Sequence, residues 1–173
     1  MSSRRPLALV IAAVFASMGA QYRTTNFFVT APTPLIAERA GQWAEYYRKQ
    51  KALEWLGHEM PNWTEPCPLI LNVTMGDPSG ATTFTFGPQG VTSQHMKIQG
   101  PLERLINSVL PHEVTHTVFA YYFRCPVPRW ADEGGAVLSE DDIELEKHNK
   151  IVRHILNSGQ QFPLRRLDRK SVV

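Results

Sequence analysis

The stretch Leu110-Pro111-His112-Glu113-Val114-Thr115-His116-Thr117-Val118-Phe119 places a His-Glu-x-x-His pattern inside an otherwise apolar run. On a helix, residues four apart lie about 40° apart around the axis and about 6 Å apart along it, so His112 and His116 would point their imidazoles at one spot. Glu113 lies about 100° from His112, within reach of a water molecule at that spot. The spacing therefore predicts two metal ligands and the general base of a zinc hydrolase.

The residues before this pattern predict a single helix from Leu102 to Phe123. The apolar residues Leu102, Leu105, Ile106 and Val109 recur at helical spacing and define one face. The two histidines and Glu113 fall on or beside the same face. A buried carboxylate without a partner costs several kcal/mol, so the cluster favours a bound cation. Pro111 removes a backbone donor and is expected to kink or restart this helix just before His112.

A third ligand is expected in the segment Trp130-Ala131-Asp132-Glu133-Gly134-Gly135-Ala136. Asp132 and Glu133 are adjacent carboxylates, and one residue of helix phase decides which of them points at the metal. From the residues alone, both stay candidates.

The two segments together resemble the gluzincin branch of the zincin metallopeptidases, a group also called peptidase MA-like. The resemblance implies that His112, His116 and Glu133 bind Zn²⁺ and that Glu113 activates water to hydrolyse a peptide bond. It implies an α+β, zincin-like fold with a small mixed sheet, an active-site helix and a following ligand helix, and a peptide or protein substrate. The spacing to Glu133 is slightly shorter than the commonest gluzincin spacing, which keeps Asp132 as the alternative ligand.

Composition indicates one globular domain that is large enough to bury a core. The chain has 173 residues, of which 43% are hydrophobic and 20% are charged, with a net charge of +2. No basic stripe with interleaved aromatic residues is present, so we expect no nucleic-acid partner. The oligomeric state is not indicated.

Residues 1–20 are predicted to lie outside the fold. Arg4 and Arg5 precede an apolar run from Leu7 to Ala16, followed by small residues, which is typical of an export signal. The alternative is an uncleaved N-terminal anchor, which would be the chain's only membrane contact. Both alternatives predict a bacterial protein outside the cytoplasm, whether periplasmic, secreted or anchored, with its peptidase domain in residues 21–173.

The middle of the chain is predicted to alternate between strands and helix. Turn residues and apolar periodicity predict a strand at Thr24–Thr30, a helix of about 22 residues from Thr33 to near Gly57, a strand at Leu69–Met75, and a hairpin of Thr82–Phe86 with Val91–Ile98. The helix is expected to bury Ile36, Ala40, Trp43, Ala44, Tyr47, Leu53 and Leu56. By the resemblance, one arm of the hairpin aligns an extended substrate; the alternative is a plain sheet strand.

Two features of the second half remain open from sequence. Cys67 and Cys125 either form a disulfide, as an exported compartment permits, or stay free thiols. From Ala131 to about Leu156 we expect one helix, weakened at Gly134–Gly135, whose charge run Glu140–Lys147 is most simply a solvated face.

The residue that stabilises the oxyanion is also unassigned. Gluzincins place a Tyr or His well after the third ligand, whereas this chain has no Tyr after Tyr122. The candidates are Tyr121, Tyr122, Arg129 and His95, and a domain that lacks its C-terminal part is one alternative. Two alternatives to an enzyme are therefore kept: a zinc-holding but catalytically weak binding or scaffold module, and a metal-free structural domain.

Overall fold

The computed structural model describes residues 19–161, and the predicted export signal lies almost wholly outside them. The strands are β1 (Ala20–Arg23), β2 (Phe27–Ala31), β3 (Cys67–Val73), β4 (Ser79–Gly87) and β5 (Gly90–Gly100). The helices are α1 (Pro34–Leu56), α2 (Leu102–Arg104), α3 (Leu110–Phe123), α4 (Arg129–Val137) and α5 (Asp142–Ser158), with a π-helical turn at Leu105–Val109 between α2 and α3. Within the described part of the chain, no helix is both long and apolar enough to cross a membrane.

The five strands form one mixed sheet in the order β1-β2-β3-β5-β4. The three inner strands β2, β3 and β5 are parallel, whereas β1 and β4 pair antiparallel at the two edges. Val29, Leu69 and Met96 are in register across the inner strands and are fully buried. Helices α1 and α3 pack on this face through Ala40 and Val114, so the chain is a mixed α+β fold, as expected.

Helix α1 confirms the prediction of a long helix after Thr33. Thr33 accepts a hydrogen bond from the Ile36 amide, and Gly57 ends the helix at φ 76°. The prediction of which residues this helix buries is correct only in part. Trp43 and Leu53 are 41% and 39% exposed, because the helix buries small residues instead. Ala37, Ala40, Gly41 and Ala44 face the sheet, whereas Ala52 packs on Val118 and Phe119 of α3.

The predicted helix Leu102–Phe123 is continuous but not regular. Its turn Leu105–Val109 is π-helical, and the Leu110 amide bonds to the Leu105 carbonyl five residues back. Pro111 follows at once, and its ring and missing N–H disfavour a regular α-helical turn at this point. The proline therefore widens the preceding turn instead of ending the helix.

The predicted helix Ala131–Leu156 is wrong as one element, because α4 ends at Val137 and α5 begins at Asp142. The break does not fall at Gly134–Gly135. It falls where the Asp141 side chain accepts hydrogen bonds from the Ile143 and Glu144 amides, which starts a new helix. Gly135 lies within α4 against the Phe119 ring, which leaves no space for a side chain there.

The remaining strand predictions shift by a few residues. The first predicted strand is β2, and β1, which pairs with it, was not predicted. The hairpin of β4 and β5 is confirmed. Cys67 and Cys125 are free thiols, one buried and one exposed, and burial raises the pKa of Cys67 to about 12.

Candidate metal centre

Helix α3 brings the two histidines of the sequence pattern together. Their ring centroids lie 5.0 Å apart, and His116 is buried while His112 is half-buried. Glu133 arrives from α4, with its Oε2 3.7 Å from His112 Nε2 and 4.0 Å from His116 Nε2. Ligand atoms bound tetrahedrally to zinc lie about 3.3 Å apart, so these three atoms need only small movements to share one ion.

The other ring nitrogens of the two histidines face carboxylates. Glu140 Oε1 lies 2.6 Å from His112 Nδ1, and Asp132 Oδ1 lies 2.8 Å from His116 Nδ1. At His112 the Glu140 carboxylate holds the ring proton at Nδ1 and leaves the Nε2 lone pair free for a metal. Asp132 lies close to His116 Nδ1 without the alignment of a hydrogen bond and acts on that ring through its charge. Both Nε2 atoms point to Glu133, so the donor set fits a divalent cation such as Zn²⁺.

The adjacent carboxylates therefore have different surroundings. Asp132 contacts His116 from behind, whereas Glu133 joins the group of three converging ligand atoms. Asp132 does not cap α4, whose N-cap is Pro128. Arg129 Nε lies 3.7 Å from the other oxygen of Glu133, which draws that side chain toward the start of the helix.

The charge of His116 depends on Asp132. Burial by itself lowers the pKa of this imidazole, but the adjacent carboxylate of Asp132 outweighs it and raises the pKa above its usual value. A metal ligand must be deprotonated, so a cation at Nε2 competes with a proton on this ring.

Glu113 lies beside the three ligand atoms and is not one of them. It is only 4% exposed, and burial raises its pKa, while a hydrogen bond from Thr82 opposes that rise. The Thr82 hydroxyl donates to Glu113 Oε2 at 2.6 Å. A methyl group at Gly80 would lie 2.8 Å from the Glu113 carboxyl carbon, so strand β4 passes directly over this carboxylate.

The charge run Glu140–Lys147 is not simply a solvated face, which corrects the sequence prediction. Glu140 joins His112 to His148, whose Nε2 lies 3.3 Å from Glu140 Oε2. Arg104 pairs with Asp141 and Glu144 and so ties the start of α5 to α2. Sequence spacing carried no signal for these long-range pairs, and Thr82 was missed for the same reason.

The four candidates for an oxyanion donor are scattered. Tyr121 stacks on Trp63 at 4.9 Å, Tyr122 is 52% exposed, and His95 faces solvent from β5. Among these four, Arg129 alone contacts a predicted ligand, through its pairing with Glu133.

A cavity of about 320 Å³ opens beside the centre. Its walls come from the π-helical turn, from the start of β4 and from α5, and they include Ser108, Gly80 and Glu144 together with His112 and Glu113. The predicted base therefore borders a space that a ligand can enter.

Comparisons with family models, with curated proteins and with solved structures found no match to this chain.

Proposed function

We propose that this chain is a zinc-dependent peptidase of zincin-like fold. His112, His116 and Glu133 would hold the ion, and Glu113 would be the general base. One observation carries the proposal. Two histidines and the Glu133 carboxylate converge on one point, and the buried Glu113 carboxylate lies beside them without being one of the three ligands. Such an arrangement leaves one coordination position open, as catalytic zinc sites do.

Zinc in such a site supplies a Lewis acid and lowers the pKa of water toward about 7. Glu113 would take a proton from the attacking water and pass it to the leaving amine. Its burial next to the three ligand atoms places the carboxylate where it can serve both steps. Thr82 holds one carboxylate oxygen, and the other is left for the proton.

Strand β4 would align the substrate. It is the edge strand of the sheet, and it passes the base at Gly80 and Thr82. An extended peptide could add to its free edge by main-chain hydrogen bonds, with its scissile bond near Glu113. The alternative remains an edge strand with no ligand.

The second candidate function is a zinc-holding but catalytically weak binding module. It is favoured by the position of the tyrosines, since neither Tyr121 nor Tyr122 contacts the residues of the centre. A site without an oxyanion donor loses about 10²- to 10³-fold in turnover.

Metal analysis and hydrolysis assays on matched variants test the proposal. Purified protein reconstituted with zinc should hold about one ion per chain, His116→Ala should hold none, and Glu113→Gln should keep the ion. Wild type should cleave an unfolded protein substrate, and Glu113→Gln should not. If the protein holds one zinc ion per chain but cleaves no substrate, the binding module is favoured. If the wild type holds no zinc, the metal-free structural domain is the alternative that stands.

A further inference from the structure

The cavity beside Glu113 has an unusual set of polar walls. Three carboxylates border it, from Glu113, Glu140 and Glu144, and no lysine or arginine does among the described residues. Its volume of about 320 Å³ lies at the lower end of the range for small-ligand sites. A side chain of a bound peptide is of the right size for it.

Ser108 gives the cavity a polar group without a partner. It lies in the π-helical turn, is 2% exposed and borders the cavity. Its hydroxyl has no hydrogen-bond partner among residues 19–161, and it is not one of the side-chain atoms that are fully sealed from solvent. It therefore faces the cavity, where it is available to a polar group of a ligand. π-Helical turns are frequent at functional sites.

Glu144 supplies the charge on the opposite wall. Arg104 Nη2 and Lys147 Nζ both donate to its Oε1, so its Oε2 is open to a further donor. The hydrogen bond from Lys147 lowers the pKa of Glu144, and the group therefore stays ionised at neutral pH. Glu140 is already held by His112 and His148, so Glu144 is the carboxylate with room for a ligand.

We propose that this cavity is the subsite for an arginine or lysine side chain next to the scissile bond, with Glu144 as its ionic partner and Ser108 as a hydrogen-bond acceptor. The inference rests on the proposed peptidase function and names its substrate class. A guanidinium or ammonium group carries only donors, which matches the open acceptors on Glu144 and Ser108.

A divalent cation is the competing occupant. Ligand atoms of Glu140, Glu144 and His148 lie within 4.8 Å of one another, a spacing that a metal could also use. A metal would need a ligand atom from all three residues, and Glu140 already binds His112 and His148. A substrate cation needs only the second oxygen of Glu144.

Peptide binding to an inert protein tests the subsite without using activity. The zinc-loaded Glu113→Gln protein is titrated calorimetrically with alanine-based octapeptides that contain either arginine or its uncharged isostere citrulline. We expect the arginine peptide to bind at least about tenfold more tightly. Adding Glu144→Gln, which keeps an acceptor for Arg104, should remove this preference, and adding Ser108→Ala should reduce it. Adding Glu146→Gln on an exposed position of α5 should leave it unchanged.

Hydrolysis by wild type separates the subsite from the function. Cleavage of both peptides with equal kcat/KM would overturn the subsite and keep the peptidase. Preferential binding of the arginine peptide to Glu113→Gln without any cleavage by wild type would overturn the peptidase and keep the subsite. Equal affinity, no binding of either peptide, or a second zinc ion per chain that Glu144→Gln removes would each overturn the subsite.

Discussion

The surroundings of Glu113 suit its proposed role as a base, but they lower the stability of the fold when the carboxyl is ionised. It is buried, and in the metal-free protein burial raises its pKa. A carboxyl whose pKa is raised by folding destabilises the folded state when it is ionised. This destabilisation is absent below the pKa of the unfolded chain, about 4.3, and is complete above the pKa of the folded chain. The metal-free fold should therefore lose stability as the pH rises through the folded-state pKa of Glu113.

Glu113→Gln should relieve this penalty. Glutamine keeps an oxygen that can accept from Thr82 and carries no charge. With excess chelator at pH 8, we expect the Tm of the variant to exceed that of wild type by about 2 to 6 °C. The difference should vanish near pH 4. Equal or lower thermal stability of the variant at pH 8, measured by circular dichroism, would contradict a buried and ionised Glu113.

Asp132 and Glu133 are neighbours with different expected effects on zinc affinity. Glu133→Ala removes a proposed ligand and should weaken zinc binding by more than about 100-fold, whereas Asp132→Ala removes the carboxylate next to His116 Nδ1 and should weaken it by about 10- to 100-fold. Titration against a competing chelator measures both. The opposite order would make Asp132 the ligand, which is the alternative that the sequence left open.

At the scale of elements, the approach of β4 to α3 decides the geometry of the base. The strand can pass over the Glu113 carboxylate because Gly80 has no side chain. Helix α3 in turn is placed by the widened turn Leu105–Val109 before Pro111. Small local departures from regular structure therefore set the distance between the strand and the helix.

Gly80→Ala should disturb this contact. Its methyl group would lie 2.8 Å from two carbon atoms of Glu113, so the strand or the carboxylate must shift. We expect a loss of 1 to 3 kcal/mol in stability, about the cost of overpacking, and a large fall in kcat. Gly76→Ala is the control, because its methyl group would lie at an ordinary contact distance of 3.7 Å from Thr74 Oγ1. Similar urea midpoints and rates for both variants would argue against the close approach.

At the scale of the whole molecule, the centre is an assembly of four separate segments. The histidines come from α3, Glu133 and Asp132 from α4, Glu140 from the link to α5, and Thr82 from β4. Arg104 of α2 fastens α5 to this assembly through Asp141 and Glu144. Residues that touch no metal should therefore affect its binding.

Arg104→Gln tests this dependence. Loss of the two ion pairs should loosen the start of α5 and let Glu140 move away from His112. We expect this movement to lower zinc affinity by about 3- to 10-fold. That loss should be smaller than the loss from Glu140→Ala. Lys147→Gln removes an exposed partner of the same Glu144 and serves as the control. If Arg104→Gln binds zinc as wild type does, α5 does not position the centre.

The sequence by itself determined the elements whose causes are local. The cap at Thr33, the glycine end at Gly57, the hairpin of β4 and β5 and the helical spacing of His112 and His116 all depend on residues a few positions apart. It also indicated the segment of the third carboxylate. Short-range backbone geometry and side-chain periodicity suffice for such features.

Only the tertiary structure decided which polar groups meet. Glu140 lies 28 positions from His112 and Thr82 lies 31 positions from Glu113, and both pairs form because α5 and β4 pack around α3. The charge run of α5 looks like a solvated face in sequence, since periodicity shows that residues share a face but not what that face contacts. The carboxylate behind His116 and the open hydroxyl of Ser108 depend in the same way on packing between elements that are distant in the chain.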